Sequence, residues 1–287
     1  MIIDSHAHLE EEIPAEKVIA LMDRDGIDRA VVFAPVMEPV PSTPEGTLAF
    51  FRFLLTSPLN ALGRKLYNGF VKQGNLEVKG QAYRIFKDPD NESVGREAGR
   101  FPDRLSFYAF INPKGSQDPL DVLEECRSKF DVKGVKTHAW FHEFDVREDL
   151  LPLGNRCRDL GLPLLIHLGG SPATGDIEGL LARCSGLSVI LAHVGIPYFK
   201  RIWHLLDRYP DLHMDLSGPY LNPRLVNAAV RALGSRRLLF GTDAPYGLRT
   251  PDGYTFQPML NWVRDLRIPD REKDDIFSGN LLRLWGG

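Results

Sequence analysis

Eight short runs rich in Val, Ile, Leu and Phe recur along this 287-residue chain, each followed by a stretch with helical spacing, and that alternation limits the fold more than any other feature. The runs are Ile2–His8, Ala30–Pro35, Leu105–Asn112, Gly134–His138, Leu162–Leu168, Leu187–Val194, Leu212–Ser217 and Leu238–Thr242. Between them, Pro14 opens a helical stretch that Gly26 closes, Asp118-Pro119 opens another, and Gly161, Gly186 and Gly234 end three more. Parallel strands need a long crossover, so strand–helix alternation implies a parallel sheet. Eight such units predict an α/β chain folded as a (β/α)8 TIM barrel, a fold of roughly 250 residues; an open doubly wound sheet is the competing architecture. One domain over residues 1–287 is expected. The surplus lies at residues 36–104, where Pro35, Pro39, Pro41 and Pro44 break the pattern and helices are expected at Leu48–Leu55 and Leu59–Phe70. Loops after barrel strands carry the chemistry, so this helical insertion between the second and third strands is expected to lie over the barrel mouth.

The charge balance, 35 Lys+Arg against 38 Asp+Glu for a net charge of -3, offers no positive field to gather phosphates, which argues against a nucleic-acid partner. The longest apolar stretch, Leu48–Leu55, carries Arg52 and is far shorter than the roughly 20 residues of a membrane span. Met1-Ile2-Ile3-Asp4 has neither the basic region nor the apolar run of a secretion signal. Cys126, Cys157 and Cys184 lack metal-type spacing and fall in helical stretches, as buried thiols of a reducing compartment do. A soluble cytoplasmic protein acting on a small molecule is the expectation.

The chemistry is placed at the strand ends. His6-Ala7-His8 closes the first run, His167 the fifth, His193 the sixth and Asp243 the eighth. Residues two apart on a strand share a side, so His6 and His8 can both aim at the C-terminal rim of a barrel, where strand ends from distant parts of the chain meet. A lone strand histidine is usually a hydrogen-bonded core residue. Five polar groups at four strand ends are not explained that way, since each would cost about 1–3 kcal/mol if buried without partners. Their N and O atoms suit Zn²⁺, or less specifically Mn²⁺, Fe²⁺ or Co²⁺. An ion there acidifies a water, and either His193 or Asp243 is placed to take its proton.

Asp4-Ser5-His6-Ala7-His8, Gly134-Val135-Lys136-Thr137-His138, Leu165-Ile166-His167, Leu191-Ala192-His193-Val194-Gly195, Phe240-Gly241-Thr242-Asp243-Ala244-Pro245 and Ile276-Phe277-Ser278-Gly279-Asn280 together resemble the amidohydrolase superfamily. Within it the chain is most similar to the amidohydrolase 2 family, which includes aminocarboxymuconate semialdehyde decarboxylase and related decarboxylases, hydratases and lactonases. The resemblance fails only across Val36–Arg104. It implies that His6, His8, His167 and Asp243 bind the metal while His193 activates the metal water. One zinc ion is favoured. Where the superfamily holds two ions, a carboxylated Lys at the fourth strand end bridges them, and Lys136 stands there; it serves alternatively as a substrate-carboxylate contact or as partner of a neighbouring acid.

His138, Trp140 and Phe141 after the fourth run, and Tyr246 and Arg249 after the eighth, are the expected substrate lining. Arg249 is the candidate fork for a substrate carboxylate, with Arg84 as a second. Asp215 and Asp4 are candidates to orient a ligand imidazole, as alternatives to capping or structural roles. His142 is either a substrate contact or loop structure, and His204 a packing or surface residue. Two reactions fit the set: hydrolysis of a small carboxylate-bearing amide, ester or lactone, and nonoxidative decarboxylation of a small unsaturated or aromatic acid. Some decarboxylases of the family carry Glu in place of the first His of His-x-His; His6 tilts the reading towards hydrolysis. A barrel decayed into a binding protein would have lost a ligand type, and none is missing. Phe50, Phe51 and Phe53 suit either packing on the barrel or a homodimer contact.

Overall fold

A computed structural model describes residues 1–10, 13–41, 43–78, 80–246, 248–250 and 253–286. Eight parallel strands stand side by side in chain order: β1 (Ile3–His8), β2 (Arg29–Phe33), β3 (Leu105–Phe110), β4 (Val132–His138), β5 (Leu164–His167), β6 (Val189–Leu191), β7 (Leu212–Asp215) and β8 (Leu238–Leu239). The segment after β8 returns to β1: Ser5 N–H donates to the Phe240 carbonyl (2.9 Å), Asp243 N–H to that of His6 (2.7 Å) and His8 N–H to that of Ala244 (2.7 Å). These bonds close the sheet into the expected (β/α)8 barrel. Both faces of the strands are covered, so they read as nearly continuous apolar runs.

The crossover helices follow the punctuation. Ala15–Asp25 ends at Gly26, whose φ of 81° is the left-handed turn that glycine supplies at least cost. Pro119–Lys129 starts where the Asp118 carboxylate accepts from Leu120 N–H at 2.8 Å. Six strands stop earlier than their apolar runs, β6 and β8 by the most. β6 gives way at Ala192 because His193 N–H donates to the Asp215 side chain (2.8 Å) instead of the ladder, and β8 gives way at Phe240, where Thr242 N–H turns to the Asp4 carboxylate (3.0 Å).

The β2–β3 connection contains the expected helices, at Glu45–Thr56 and Asn60–Asn68, and then a three-stranded antiparallel sheet (Val71–Lys72, Asn75–Val78, Gln81–Arg84) that the apolar periodicity does not announce. Its first turn is marked by Gln73 and Gly74, both at positive φ (49° and 75°), the requirement of a two-residue hairpin turn. The helix Asn91–Arg100 is not part of the addition: it packs on β2 and β3 as their ordinary crossover, so the added material ends before it rather than at Arg104. The helix pair lies across the loops after β5, β6 and β7. Arg52 donates to the carbonyls of Pro219 (3.0 Å) and Tyr220 (3.1 Å), Asn60 to that of Pro197 (2.9 Å), and Asn68 accepts from Gly170 N–H (2.9 Å). Its outer face leaves Phe50, Phe53, Leu59, Leu62 and Leu66 exposed. Among the described residues no helix is long and apolar enough to cross a membrane, and the three cysteines are buried and free.

Candidate metal centre and the cavity beside it

Three electron-rich atoms meet at the C-terminal rim. His6 and His8 leave the end of β1 on one side of the strand, both buried. The Nδ1 of His6 lies 2.7 Å from the Asp215 carboxylate at the end of β7, and that of His8 lies 3.2 Å from the Ala34 carbonyl just past β2. Burial pushes the Asp215 carboxyl up, but the facing His6 outweighs it and holds the group well below the usual range, so it accepts and Nδ1 keeps its proton. Each ring therefore turns Nε2 inward. Asp243 Oδ1 is 3.2 Å from His6 Nε2 and 3.5 Å from His8 Nε2.

All three candidate donors lie within 4.8 Å of one another, each on a buried residue. An ion bound tetrahedrally at about 2.0–2.1 Å spaces its donors about 3.3–3.4 Å apart, close to the 3.2 and 3.5 Å at which Asp243 Oδ1 stands from the two Nε2 atoms. Buried lone pairs aimed at a carboxylate repel unless a cation sits between them. His6 registers that demand: burial and Lys136 push its imidazole down, yet the Asp215 and Asp243 carboxylates prevail and raise it. His8, supported by Asp243 alone, is pushed down to about 4 because burial outweighs that carboxylate. The residues fit a divalent cation.

Asp243 and His193 are held in left-handed backbone, with φ of 62° and 55°, a strain that non-glycine residues carry chiefly at functional sites. Burial pushes Asp243 up, but the neighbouring histidines keep it well below its ordinary value, and its Oδ2 lies 3.9 Å from His193 Nε2. His193 Nδ1 is 2.9 Å from the Ser217 carbonyl, an acceptor only, so the proton is on Nδ1. A side chain at Gly218 would run into this imidazole, which explains the glycine. Lys136, fully buried at the end of β4, brings Nζ to 3.3 Å from His6 Nε2, and burial lowers its ammonium to about 8.

His167 stands apart from this group. Its Nδ1 is 3.1 Å from His193 Nε2, its Nε2 is 3.0 Å from the Tyr67 hydroxyl, and its ring stacks on His138 at 3.9 Å. Asp4 does not touch an imidazole: its carboxylate accepts from the backbone N–H groups of His6 and Thr242 and from the Thr242 hydroxyl, sewing β1 to the end of β8. Asp215 does what was expected of one of the two acids.

Next to the centre opens a cavity of about 140 Å³. His138, Trp140, Phe141, Tyr220 and Tyr246 form one wall, and Val36, Met37, Val40, Leu48 and Leu76 of the β2–β3 connection the other. Trp140 Nε1 and the Tyr246 hydroxyl are buried without a hydrogen-bond partner. Arg249 also borders the cavity, but it arrives paired with buried Glu10 at 2.6 Å and is not the free fork expected. Arg84 lies on the small sheet beside Glu38 at 3.4 Å, exposed and away from the cavity. His142 turns to the Phe86 carbonyl (3.1 Å), and His204 sits in the turn His204–Asp207, outside the lining. Ser217, Tyr220 and Tyr67 were missed. Ser217 shares strand parity with Asp215 and was legible on that ground; nothing in the sequence distinguishes Tyr67 from its helix neighbours.

A family model described as amidohydrolase matches residues 3–287. No curated protein matches the chain. Solved structures align over nearly their whole length. An uncharacterized TIM-barrel protein from Bordetella bronchiseptica has 18% identity and a TM-score of 0.63, covering 100% of this chain and 99% of that one. A probable 2-pyrone-4,6-dicarboxylic acid hydrolase from Acinetobacter baumannii, with citric acid bound, has 15% identity and a TM-score of 0.60, with coverage of 100% and 99%. A dihydroxybenzoic acid decarboxylase from a Polaromonas species, with bound manganese and an inhibitor, has 14% identity and a TM-score of 0.61, with coverage of 99% and 96%. At such identities the likeness is one of fold.

Proposed function

The chain belongs to the amidohydrolase family, a family of metal-dependent enzymes, and from that premise we propose that it hydrolyses a small carboxylate-bearing amide, ester or lactone with a metal-activated water. The observation that carries this reading is the meeting of His6, His8 and Asp243 with two proton acceptors, Asp243 Oδ2 and His193 Nε2, on one side. His6, His8 and Asp243 would hold the ion, with His167 as the fourth donor that the family resemblance implies; zinc is the first choice and manganese the second. The ion supplies Lewis acidity, polarising the scissile carbonyl and drawing the pKa of a water from 15.7 towards about 7.

The chain's own residues do the rest. Asp215 holds the proton on His6 Nδ1 so that Nε2 stays a donor, as the Ala34 carbonyl does for His8. Asp243, anionic, or His193, through the Nε2 lone pair that faces His167 Nδ1 at 3.1 Å, takes one proton from the attacking water. The new C–O bond forms as the bond to the leaving N or O breaks, and the same group returns the proton to that leaving atom. The Lys136 ammonium meets a substrate carboxylate; a bridging carbamate on Lys136 is the alternative. The cavity, about 140 Å³, matches a volume that accepts one benzene-sized ring, with Trp140 Nε1–H and the Tyr246 hydroxyl left to bond the substrate's polar groups.

That ring-sized, largely apolar cavity favours a second reading, nonoxidative decarboxylation. There the C–C bond to a substrate carboxylate breaks, CO₂ leaves, and the electron pair left on carbon takes a proton from Asp243 or His193 in its acid form.

The deciding experiment is elemental analysis of protein purified without chelator, for the native chain and Lys136→Ala, followed by assays of CO₂ and of acid release on one-ring carboxylates. One equivalent of zinc, unchanged in the variant, with acid release that stops on chelation, is the expected result. Two equivalents falling to one would mean a bridged pair of ions, CO₂ release would select decarboxylation, and full activity after chelation would end both readings. The exposed Phe50 and Phe53 face is proposed as a homodimer contact, which light scattering at only about 32 kDa would contradict.

A further inference from the structure

Tyr67 is the one point where the β2–β3 addition reaches the histidine cluster by a hydrogen bond among the described residues. The residue is 2% exposed, near the end of the helix Asn60–Asn68. Its ring stacks on Trp140 at 3.7 Å with an interplanar angle of 17°, its edge meets Tyr220 at 5.8 Å, and its hydroxyl is 3.0 Å from His167 Nε2. Tyr67 thus stands behind three residues of the cavity wall. Its seat depends on close docking of the helix: a Cβ on Gly170 would come within 2.8 Å of both the Arg64 carbonyl and Asn68 Oδ1, so only glycine lets the loop after β5 approach so nearly.

The proton positions along this chain of rings follow from what each atom can accept. The Ser217 carbonyl requires the proton on His193 Nδ1, so His193 Nε2 is an acceptor. The atom facing it at 3.1 Å, His167 Nδ1, must then carry its proton, which makes His167 Nε2 the acceptor for the Tyr67 O–H. A neutral imidazole has one lone pair. That of His167 is spent on Tyr67, and that of His193 on His167.

We propose that Tyr67 is a positioning residue that latches His167 out of the metal's ligand set, so that metal loading at the fourth donor requires the phenol to release it. The idea rests on the assignment of His167 as a metal ligand made above. The latch ties the seating of the added helices to the centre: whatever shifts the helix Asn60–Asn68 also frees or holds His167, and with it the lone pair of His193.

The test is Zn²⁺ titration of the metal-free protein in competition with a chelator, for the native chain, Tyr67→Phe and His167→Ala. Phe keeps the stacking on Trp140 and removes the competing O–H bond to His167 together with the hydroxyl's bond to Tyr220, so Tyr67→Phe is expected to bind Zn²⁺ about 3- to 10-fold tighter, the worth of the one net hydrogen bond that His167 gives up. A merely structural role would move affinity the other way. His167→Ala is expected to bind at least about 10-fold more weakly. Native affinity in His167→Ala would remove the ligand assignment itself. Weakened binding in His167→Ala with unchanged or weakened binding in Tyr67→Phe would overturn the latch alone. The ¹⁵N shift of His167 Nε2 in the metal-free protein gives a second reading: it should change in Tyr67→Phe while that of His6 stays put, and no change at His167 would count against the latch.

Discussion

The rim of the barrel and the added β2–β3 connection are built on opposite terms. At the rim, His6, Asp215, His193 and Asp4 are buried and locked by directional bonds that run from one strand end to another, as from His6 to Asp215 across 209 residues of sequence. The connection instead rests on neighbouring loops through Arg52, Asn60 and Asn68, and turns Phe53, 58% exposed, to solvent. The four rim residues have one arrangement because their buried polar atoms cost too much to misplace. The connection has an interface rather than a core, so it can be exchanged or shifted without disturbing the strands. Reaction type belongs to the first region and substrate fit to the second.

The largest effect that would test this division comes from the rim. His6→Ala removes a donor and the anchor of Asp215; metal content should fall to near zero and activity by on the order of 10³-fold, since several kcal/mol of charge stabilisation go with the ion. Elemental analysis with retained circular dichroism checks that the loss is local. Next comes Asp215→Asn, whose amide would donate to His6 Nδ1 and force the proton onto Nε2, the wrong tautomer for a ligand. Metal affinity should drop by about 10- to 100-fold with the fold intact. An unchanged affinity would show that the rim is looser than its geometry indicates.

Where the added region docks on the loop after β5, Gly170→Ala should cost about 1–3 kcal/mol in urea unfolding and raise KM, while metal content stays native. Loss of metal in that variant would erase the distinction between the regions. The smallest effect is a pH slope at the joint between them. Burial pushes His142 down to about 4, which its bond to the Phe86 carbonyl offsets only in part. The unfolded ring titrates near 6.5, so the folded protein holds fewer protons between pH 6.5 and 4, and stability falls as the pH falls through that window. The contribution is complete above pH 6.5, and about 2 kcal/mol of it should be gone at pH 5. His142→Gln should flatten this part of the profile; an unchanged slope would place the titrating group elsewhere.

Much of the barrel was legible because its signals are local. Eight apolar runs, Gly26 and Gly161 as helix ends and Asp118 as a cap depend only on neighbours in sequence, and His6 and His8 share a face by strand parity alone. The small sheet after Asn68 was not legible, because its strands run only two to four residues, too short for a period to show. Arg249 was read as a free fork because a sequence does not display Glu10 beside it, 239 positions away.

The sequence by itself determined the architecture, the strand ends that carry chemistry and the kinds of donor atoms offered, since these follow from periodicity and residue type. Only the tertiary structure decided which donors meet. It joined Asp243 to His6 and His8, gave Asp215 rather than Asp4 the imidazole, and turned His167 towards Tyr67. The physical reason is that a lone pair or a proton is directed within about 3 Å, and which partner stands at that distance is set by strands and helices far apart in the chain.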